Sequence, residues 1–348
     1  MVKPFNGKRE LAMSETKTTP TIQLPDPAQL MVSNSPHIRD NQNIKKIMFA
    51  VVLALLPACL AGIWFFGFAA LKVLLLTTIS CVVLEEGWNK LNKKESTWKD
   101  GSAILTGLLL GMNLNAGVPW WVCVLGAVLA IILAKQLFGG LGYNPFNPAL
   151  VARVGLLIGL PEIMTSWNVP TAGKMMVDTV TAATPLGEGV KNGAFTVGQL
   201  FFGNTGGCLG ETSILALLIG AAILFYFKLI KWQIPVAFIG SVFVITGAVH
   251  LIHPETTHSP VYHVLSGGLL LGAFFMATDM VTSPMTKKGM LIFGLGCGIM
   301  TSAIRLWGAY PEGVSFSILF MNALTPLIDR STISKPFGYV APVKEEAK

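Results

Sequence analysis

Polar and apolar residues in this chain separate into long blocks rather than alternating within a strand or helical turn. Apolar stretches run at roughly 45–67, 69–88, 102–116, 119–138, 145–160, 213–231, 233–252, 263–281, 289–308 and 314–330, with polar connections between them. A helix needs about 20 residues to cross a bilayer, so the pattern predicts about ten crossings. The third and fifth stretches fall short of that length and carry Gly or Pro. They are expected to be tilted, broken or partly re-entrant, with protein or a cavity satisfying the freed backbone groups. Residues 1–40 are polar, interrupted by Pro20, Pro25, Pro27 and Pro36, and show no apolar periodicity. They read as a largely disordered or extended tail. No apolar core precedes a cleavage site, so no signal peptide is expected. The predicted organisation is a polar cytoplasmic tail (1–40), a first membrane half (41–160), a long polar loop (161–212), a second membrane half (213–330) and a short cytoplasmic tail (331–348).

Composition agrees with that pattern. Of 348 residues, 52% are hydrophobic and 12% are charged, and mean hydropathy is +0.62. Soluble domains average about 25% charged residues, so a soluble globular class is excluded. The net charge of +7 would suggest an anionic partner in a soluble protein. Here it is read loop by loop, and no nucleic-acid partner is expected. With the N-terminus in the cytoplasm, the inside segments hold Lys45, Lys46, Lys90, Lys93, Lys94, Lys99, Lys135, Lys228, Lys231, Lys287, Lys288 and Arg330. The outside segments hold Lys72, Lys174 and Lys191, beside Glu162, Asp178, Glu188, Glu211, Glu255 and Glu312. That asymmetry places both termini in the cytoplasm and the 161–212 loop outside.

A weak internal repeat supports a two-part plan. Gly107-Leu-Leu-Leu-Gly111 recurs as Gly268-Leu-Leu-Leu-Gly272, and Asn147-Pro-Ala-Leu150 is echoed by Asn322-Ala-Leu324. Five crossings per half would set the halves in opposite orientations, the inverted-repeat arrangement of many transporters. The expected fold is therefore an all-α polytopic membrane protein of about ten helices in two inverted five-helix repeats.

Candidate chemistry is sparse. Cys59, Cys81, Cys123, Cys208 and Cys297 include no CxxC spacing, so neither an iron–sulfur cluster nor a zinc site is encoded locally. Asn144-Pro-Phe-Asn147-Pro148 excludes a regular helix start before Pro148. Its amides serve either a polar ring or ion, or simply a helix cap. Ionisable residues at membrane depth are functional candidates: Glu85 and Glu86 end the second stretch, Arg153 lies in the fifth, Arg305 near the end of the ninth, and Asp329 ends the tenth. Asp279 sits among Thr278, Thr282 and Ser283, with oxygens enough for a cation. His250, His253, His258 and His263 lie in or beside an outward loop; solvation is the plainer reading there, and no metal site is assigned. In the long loop, Asp178-Thr-Val-Thr-Ala-Ala-Thr-Pro-Leu186 offers the Thr184 hydroxyl between small neighbours, with room for a bulky covalent group. A surface turn is the plain alternative.

Several of these motifs converge on one family. Ser35-Pro-His-Ile-Arg39, Ala134-Lys-Gln-Leu-Phe-Gly-Gly-Leu-Gly142, Asn144-Pro-Phe-Asn-Pro-Ala149, Met164-Thr-Ser-Trp167, the Asp178–Leu186 segment and Ala277-Thr-Asp279 together resemble the family of the D subunit of Rnf complexes, which are ion-pumping ferredoxin:NAD oxidoreductases. The paralogous B subunit of sodium-pumping NADH:quinone reductases belongs to the same family. The resemblance spans nearly the whole chain beyond residue 34, and overall length fits the Rnf type better. It implies a urea-channel-like inverted repeat and FMN joined by a phosphoester to a threonine in an Asp-x-x-Ser/Thr-Gly-Ala-Thr pattern. Asp178, Thr181, Ala183 and Thr184 match, and Ala182 stands where the family has Gly. The acceptor would be Thr184, with Asn144, Asn147 and Arg153 as further cofactor-binding candidates. Riboflavin is a second cofactor that the resemblance admits.

The implied function is a membrane-embedded electron-transport subunit that couples electron passage to Na⁺ or H⁺ movement. Asp279, Glu85 and Asp329 are the ion-pathway candidates. Implied partners are the other Rnf subunits, among them the FMN-bearing G-type and iron–sulfur C-type, and an extracytoplasmic flavin transferase. The implied location is a bacterial or archaeal cytoplasmic membrane. The chain carries no nucleophilic triad or phosphate loop, so it is expected to be part of an oxidoreductase and not catalytic alone. The alternatives are a quinone-reductase B-type subunit or a non-redox solute channel on the same fold.

Overall fold

The computed structural model describes residues 42–168, 170, 181–182, 185–186, 196–203, 205–255, 257–308, 310 and 313–333. Twelve helices are present among them: α1 Ile44–Leu91, α2 Ser102–Met112, α3 Trp120–Gln136, α4 Pro148–Gly159, α5 Pro161–Thr165, α6 Val197–Phe202, α7 Ile214–Tyr226, α8 Gln233–Ile252, α9 Pro260–Leu265, α10 Leu269–Leu271, α11 Lys287–Trp307 and α12 Val314–Thr332. The only extended pairing among the described residues joins β1 (Trp167–Asn168) to β2 (Thr181–Ala182), antiparallel, with Trp167 opposite Ala182 and Asn168 opposite Thr181. The 1–40 tail and the tail beyond residue 333 lie outside the described residues.

Helix α1 contains the first two predicted crossings. Gly67 sits inside it at φ 63, ψ −142, a backbone state that glycine alone adopts readily. The chain doubles back there. Near one end of α1, Phe49 lies against Gly101. Near its other end, Glu85 reaches Ser102 through a shared lysine, Lys135. With that hairpin opened into two arms, each half of the chain has five segments, and the halves run in opposite senses.

Three helices, Ile44–Leu91, Gln233–Ile252 and Lys287–Trp307, are long and apolar enough to cross a membrane. Less than half of the most apolar window of each is buried. The remainder presents Leu60, Trp64, Phe68, Leu75, Ile79 and Val83 on α1 and Val236, Phe243 and Val244 on α8, as a lipid-facing surface requires. Trp120 and Trp121 are exposed at the start of α3, where interfacial anchors belong.

More segments are short or broken than the pattern predicts. As expected, α2 and α4 are too short to span the bilayer, but so is α7, and the eighth stretch divides into α9, α10 and the π-helical turn Gly272–Met276. The second part of α3, Val128–Gln136, is also π-wound. Such i→i+5 winding is uncommon and gathers at functional sites. The break before α10 follows from Gly267 and Gly268, both at positive φ.

The two sequence echoes fare differently. Asn147 and Asn322 meet: in the amide orientation that satisfies both of its atoms, Asn322 accepts from the Asn147 backbone N–H at 3.2 Å and donates to the Thr282 and Ile318 carbonyls at 3.3 Å. The Gly-Leu-Leu-Leu-Gly echo does not equate like positions. Gly107 lies mid-helix, where a Cβ would meet Thr78 Cα at 2.5 Å, whereas Gly268 is the left-handed residue just before α10. In conformation Gly268 matches Gly101, which precedes α2 at φ 78, ψ −1.

Candidate functional site

The predicted site residues fall at two opposite ends of the bundle. At the lysine-rich end, α1, α2, α4, α7 and the α10–α11 connection enclose a cavity of about 90 Å³. Its polar lining is Ser102, Thr106, Lys135, Asn144, Asn147, Thr278 and Asp279, set among apolar side chains such as Met48, Leu224 and Phe275. The structure thus brings together three candidates, Asn144, Asn147 and Asp279, that come from both halves of the chain.

Each is positioned by local geometry. Asn147 caps α4: its Oδ1 accepts from Ala149 N at 3.1 Å and Leu150 N at 3.4 Å, as the two prolines demand. Its Nδ2 still reaches the Met276 carbonyl at 3.4 Å. The Asn144 Nδ2 donates to Phe146 O, while its Oδ1 is buried without a hydrogen-bond partner. A buried acceptor in that state is a place for a ligand donor. Asp279 accepts from the Thr282 hydroxyl at 3.1 Å and the Val281 N–H at 3.5 Å. Asp329 lies outside the cavity lining and accepts from Met285 N at 3.1 Å.

Glu85 is placed differently from a free ion ligand. It is buried and paired with Lys135 at 2.7 Å; Thr97 Oγ1 donates to its other oxygen at 2.7 Å, and Asn89 supports Thr97. Lys135 also donates to Ser102 Oγ at 2.8 Å. A buried ion pair persists only with such added hydrogen bonds, because both charges have left water. In the sequence Lys135 counts merely as an inside charge. An ionisable residue inside an apolar stretch, near its cytoplasmic end, is the signal that could have found it.

At the opposite end lie the described flanks of the long loop. Asp178, Ala183 and Thr184 are outside the described residues, and of Thr181 the backbone alone is described. Their immediate flanks are placed. On one side Thr181–Ala182 pairs with Trp167–Asn168. The ring of Trp167 lies 5.7 Å from the guanidinium carbon of Arg153, which is buried on α4. Around that cation a small recess is walled by Trp167, Tyr310 and Phe316. On the other side Tyr262, on α9, donates its hydroxyl to the Pro185 carbonyl at 3.0 Å. A buried cation beside an aromatic ring is the type of group that a phosphate ester with a planar ring engages, so in chemical type Arg153 and Trp167 suit the FMN that the resemblance implies.

The histidines near the outward loop have separate surroundings. His250 Nδ1 contacts Thr257 O at 2.9 Å, His258 stacks on Tyr262 at 4.4 Å, and His263 is buried in α9. Burial first, and His250 second, hold the His258 pKa below its ordinary 6.5, so it is neutral near pH 7. Among the described residues no group of three or more His, Cys, Asp or Glu is placed to hold a metal. Cys208, the one loop cysteine, is buried with its Sγ 3.1 Å from Asn113 O.

Two oppositely running five-segment halves, short and π-wound helices and a charged pocket at the lysine-rich end define a polytopic membrane protein of the transporter-like inverted-repeat class. The chain belongs to the NQR2, RnfD, RnfE family, whose model matches residues 31–338. It is 47% identical over 318 residues to the D subunit of the proton-translocating ferredoxin:NAD(+) oxidoreductase complex of Clostridium ljungdahlii, covering 88% of this chain and 96% of that protein. It is 46% identical over 324 residues to the D subunit of the Na(+)-translocating ferredoxin:NAD(+) oxidoreductase complex of Acetobacterium woodii, covering 92% and 98%. The D subunit of the ion-translocating oxidoreductase complex of Stutzerimonas stutzeri is 39% identical over 327 residues, covering 85% and 92%.

Proposed function

We infer that this chain is the D-type membrane subunit of an ion-translocating ferredoxin:NAD oxidoreductase complex of the Rnf type. The near full-length identity to subunits so named is the observation that carries the reading. It works as one part of a multisubunit oxidoreductase and not alone. Its partners are the other subunits, among them FMN-bearing G-type and iron–sulfur C-type chains. Lysine placement supports a cytoplasmic membrane, with both termini inside and the long loop outside.

Thr184 is proposed as the acceptor of a phosphoester-linked FMN, attached by an extracytoplasmic flavin transferase. Trp167 pairs with the strand that leads to Thr184 and Arg153 lies against its ring, which supports a role in holding the phosphate and the ring. Bound flavin would supply one- and two-electron redox chemistry. At the lysine-rich end, Asn144 and Asn147 offer amide partners to a second, uncharged flavin such as riboflavin. Asp279, with the hydroxyls of Thr278 and Thr282 nearby, is proposed as the carboxylate of the Na⁺ or H⁺ path. Glu85 is proposed to act there indirectly, by keeping the Lys135 charge at the cavity wall.

Flavin attachment is tested on the denatured chain. From cells holding the transferase, the wild-type band fluoresces under ultraviolet light and Thr184→Val is dark. A wild-type band that is dark as well would remove the flavin and favour a solute channel on the same scaffold.

A further inference from the structure

The described flanks of the segment that carries Thr184 are tied to different membrane halves, and the second tie is made by a core tyrosine with Leu186 packed against the same core. On its N-terminal flank the chain pairs with β1, whose Trp167 ring lies against Arg153 on α4 of the first half. On its C-terminal flank it is held by α9 of the second half. There the Tyr262 hydroxyl, buried, donates to the Pro185 carbonyl. One residue on, Leu186 packs so closely on Gly267 that a Cβ there would meet its Cδ1 at 2.5 Å. Gly267 is at φ 69.

The receiving surface is itself held rigidly. The Arg305 guanidinium on α11 donates to the carbonyls of His263, Ser266 and Gly267, closing the end of α9. The His258 ring stacks on Tyr262 with 15° between planes and holds the plane of its ring. Tyrosine buried in apolar surroundings usually needs a partner for its O–H. Tyr262 satisfies that need with the carbonyl of Pro185, the residue after Thr184.

We propose that Tyr262, with Gly267 as the seat for Leu186, is a positioning residue for the cofactor-bearing threonine. This rests on the reading of Thr184 as the FMN acceptor. Holding the Pro185–Leu186 peptide unit in place restrains the chain immediately after Thr184. It thereby sets how a flavin attached there lies on the outer face. Tyr262 touches no reacting atom; it acts through Pro185.

Tyr262→Phe keeps the ring and the His258 stack and removes only the donor. Leu186→Ala removes the second contact and serves as an independent variant should the first not accumulate. Each is purified in the assembled complex beside wild type and Thr184→Val. Two quantities are read: the fraction of the 184-containing peptide that carries flavin, by mass spectrometry, and the quenching of attached flavin by iodide. The expected result for an assembled complex is a several-fold rise in iodide quenching, or a several-fold fall in the flavin-bearing fraction. A variant complex loaded and shielded as wild type overturns the proposal while leaving the acceptor reading intact. Flavin that survives in Thr184→Val overturns the acceptor reading, and this proposal with it.

Discussion

Glu85 and Lys135 show how far a single residue can be read from its neighbours in sequence. Glu85 is visible there as a carboxylate at the end of an apolar stretch. Its partner lies 50 residues on, in the π-wound part of α3. Nothing local announces that Thr97 and Ser102 complete the set. Removing one member of a buried pair leaves an uncompensated charge, at a cost of about 3–5 kcal/mol, whereas removing both is far milder. Lys135→Met is therefore expected to lower thermal stability in detergent strongly, and Glu85→Gln/Lys135→Met to recover most of the loss. Equal melting temperatures for the single variant and wild type would mean that the pair does not hold the arms of α1 against α2 and α3. Arg153 shows the same limit. Its type and its apolar surroundings are legible, but its place beside Trp167 and the loop strand depends on a pairing between residues 167 and 182.

At the scale of elements, long apolar runs predict helices well, because bilayer thickness sets their length and backbone hydrogen bonding leaves little else possible. All ten predicted stretches contain helix. What the runs do not show is where a helix stops within a stretch that stays apolar throughout. The eighth stretch breaks because Gly267 and Gly268 take left-handed conformations, and those glycines resemble others that remain helical. Gly107 is one of the latter. Its missing side chain lets α2 lie directly on the second arm of α1, where a Cβ would stand 2.5 Å from Thr78 Cα and 2.9 Å from Thr77 O. Close approach through small residues is the usual basis of helix packing in lipid. Gly107→Val is expected to cost about 1–3 kcal/mol by overpacking. Reduced accumulation and a lower melting temperature are the measurements, with Gly87→Val, which has open space beside it, as the control that should change neither.

Across the whole molecule the two candidate sites lie at opposite ends, with the Asn147–Asn322 contact between the halves near the cavity end. An ion path and an electron path can be coupled only if the protein links those ends, and the carboxylate of the ion path is the part most open to test. The relatives from C. ljungdahlii and A. woodii are named for protons and for Na⁺, yet they are 47% and 46% identical to this chain. Overall similarity therefore does not choose the ion. Asp279 can also be read as a simple turn former, since its oxygens accept from Thr282 and Val281. Asp279→Asn separates these roles, because an amide oxygen can still accept in the turn but carries no charge. In complex reconstituted into vesicles, the variant is expected to keep its flavin and its assembly while ion uptake falls several-fold. Uptake equal to wild type would reduce Asp279 to a turn former and leave the cavity without an ion-binding carboxylate, since Glu85 is already committed to Lys135.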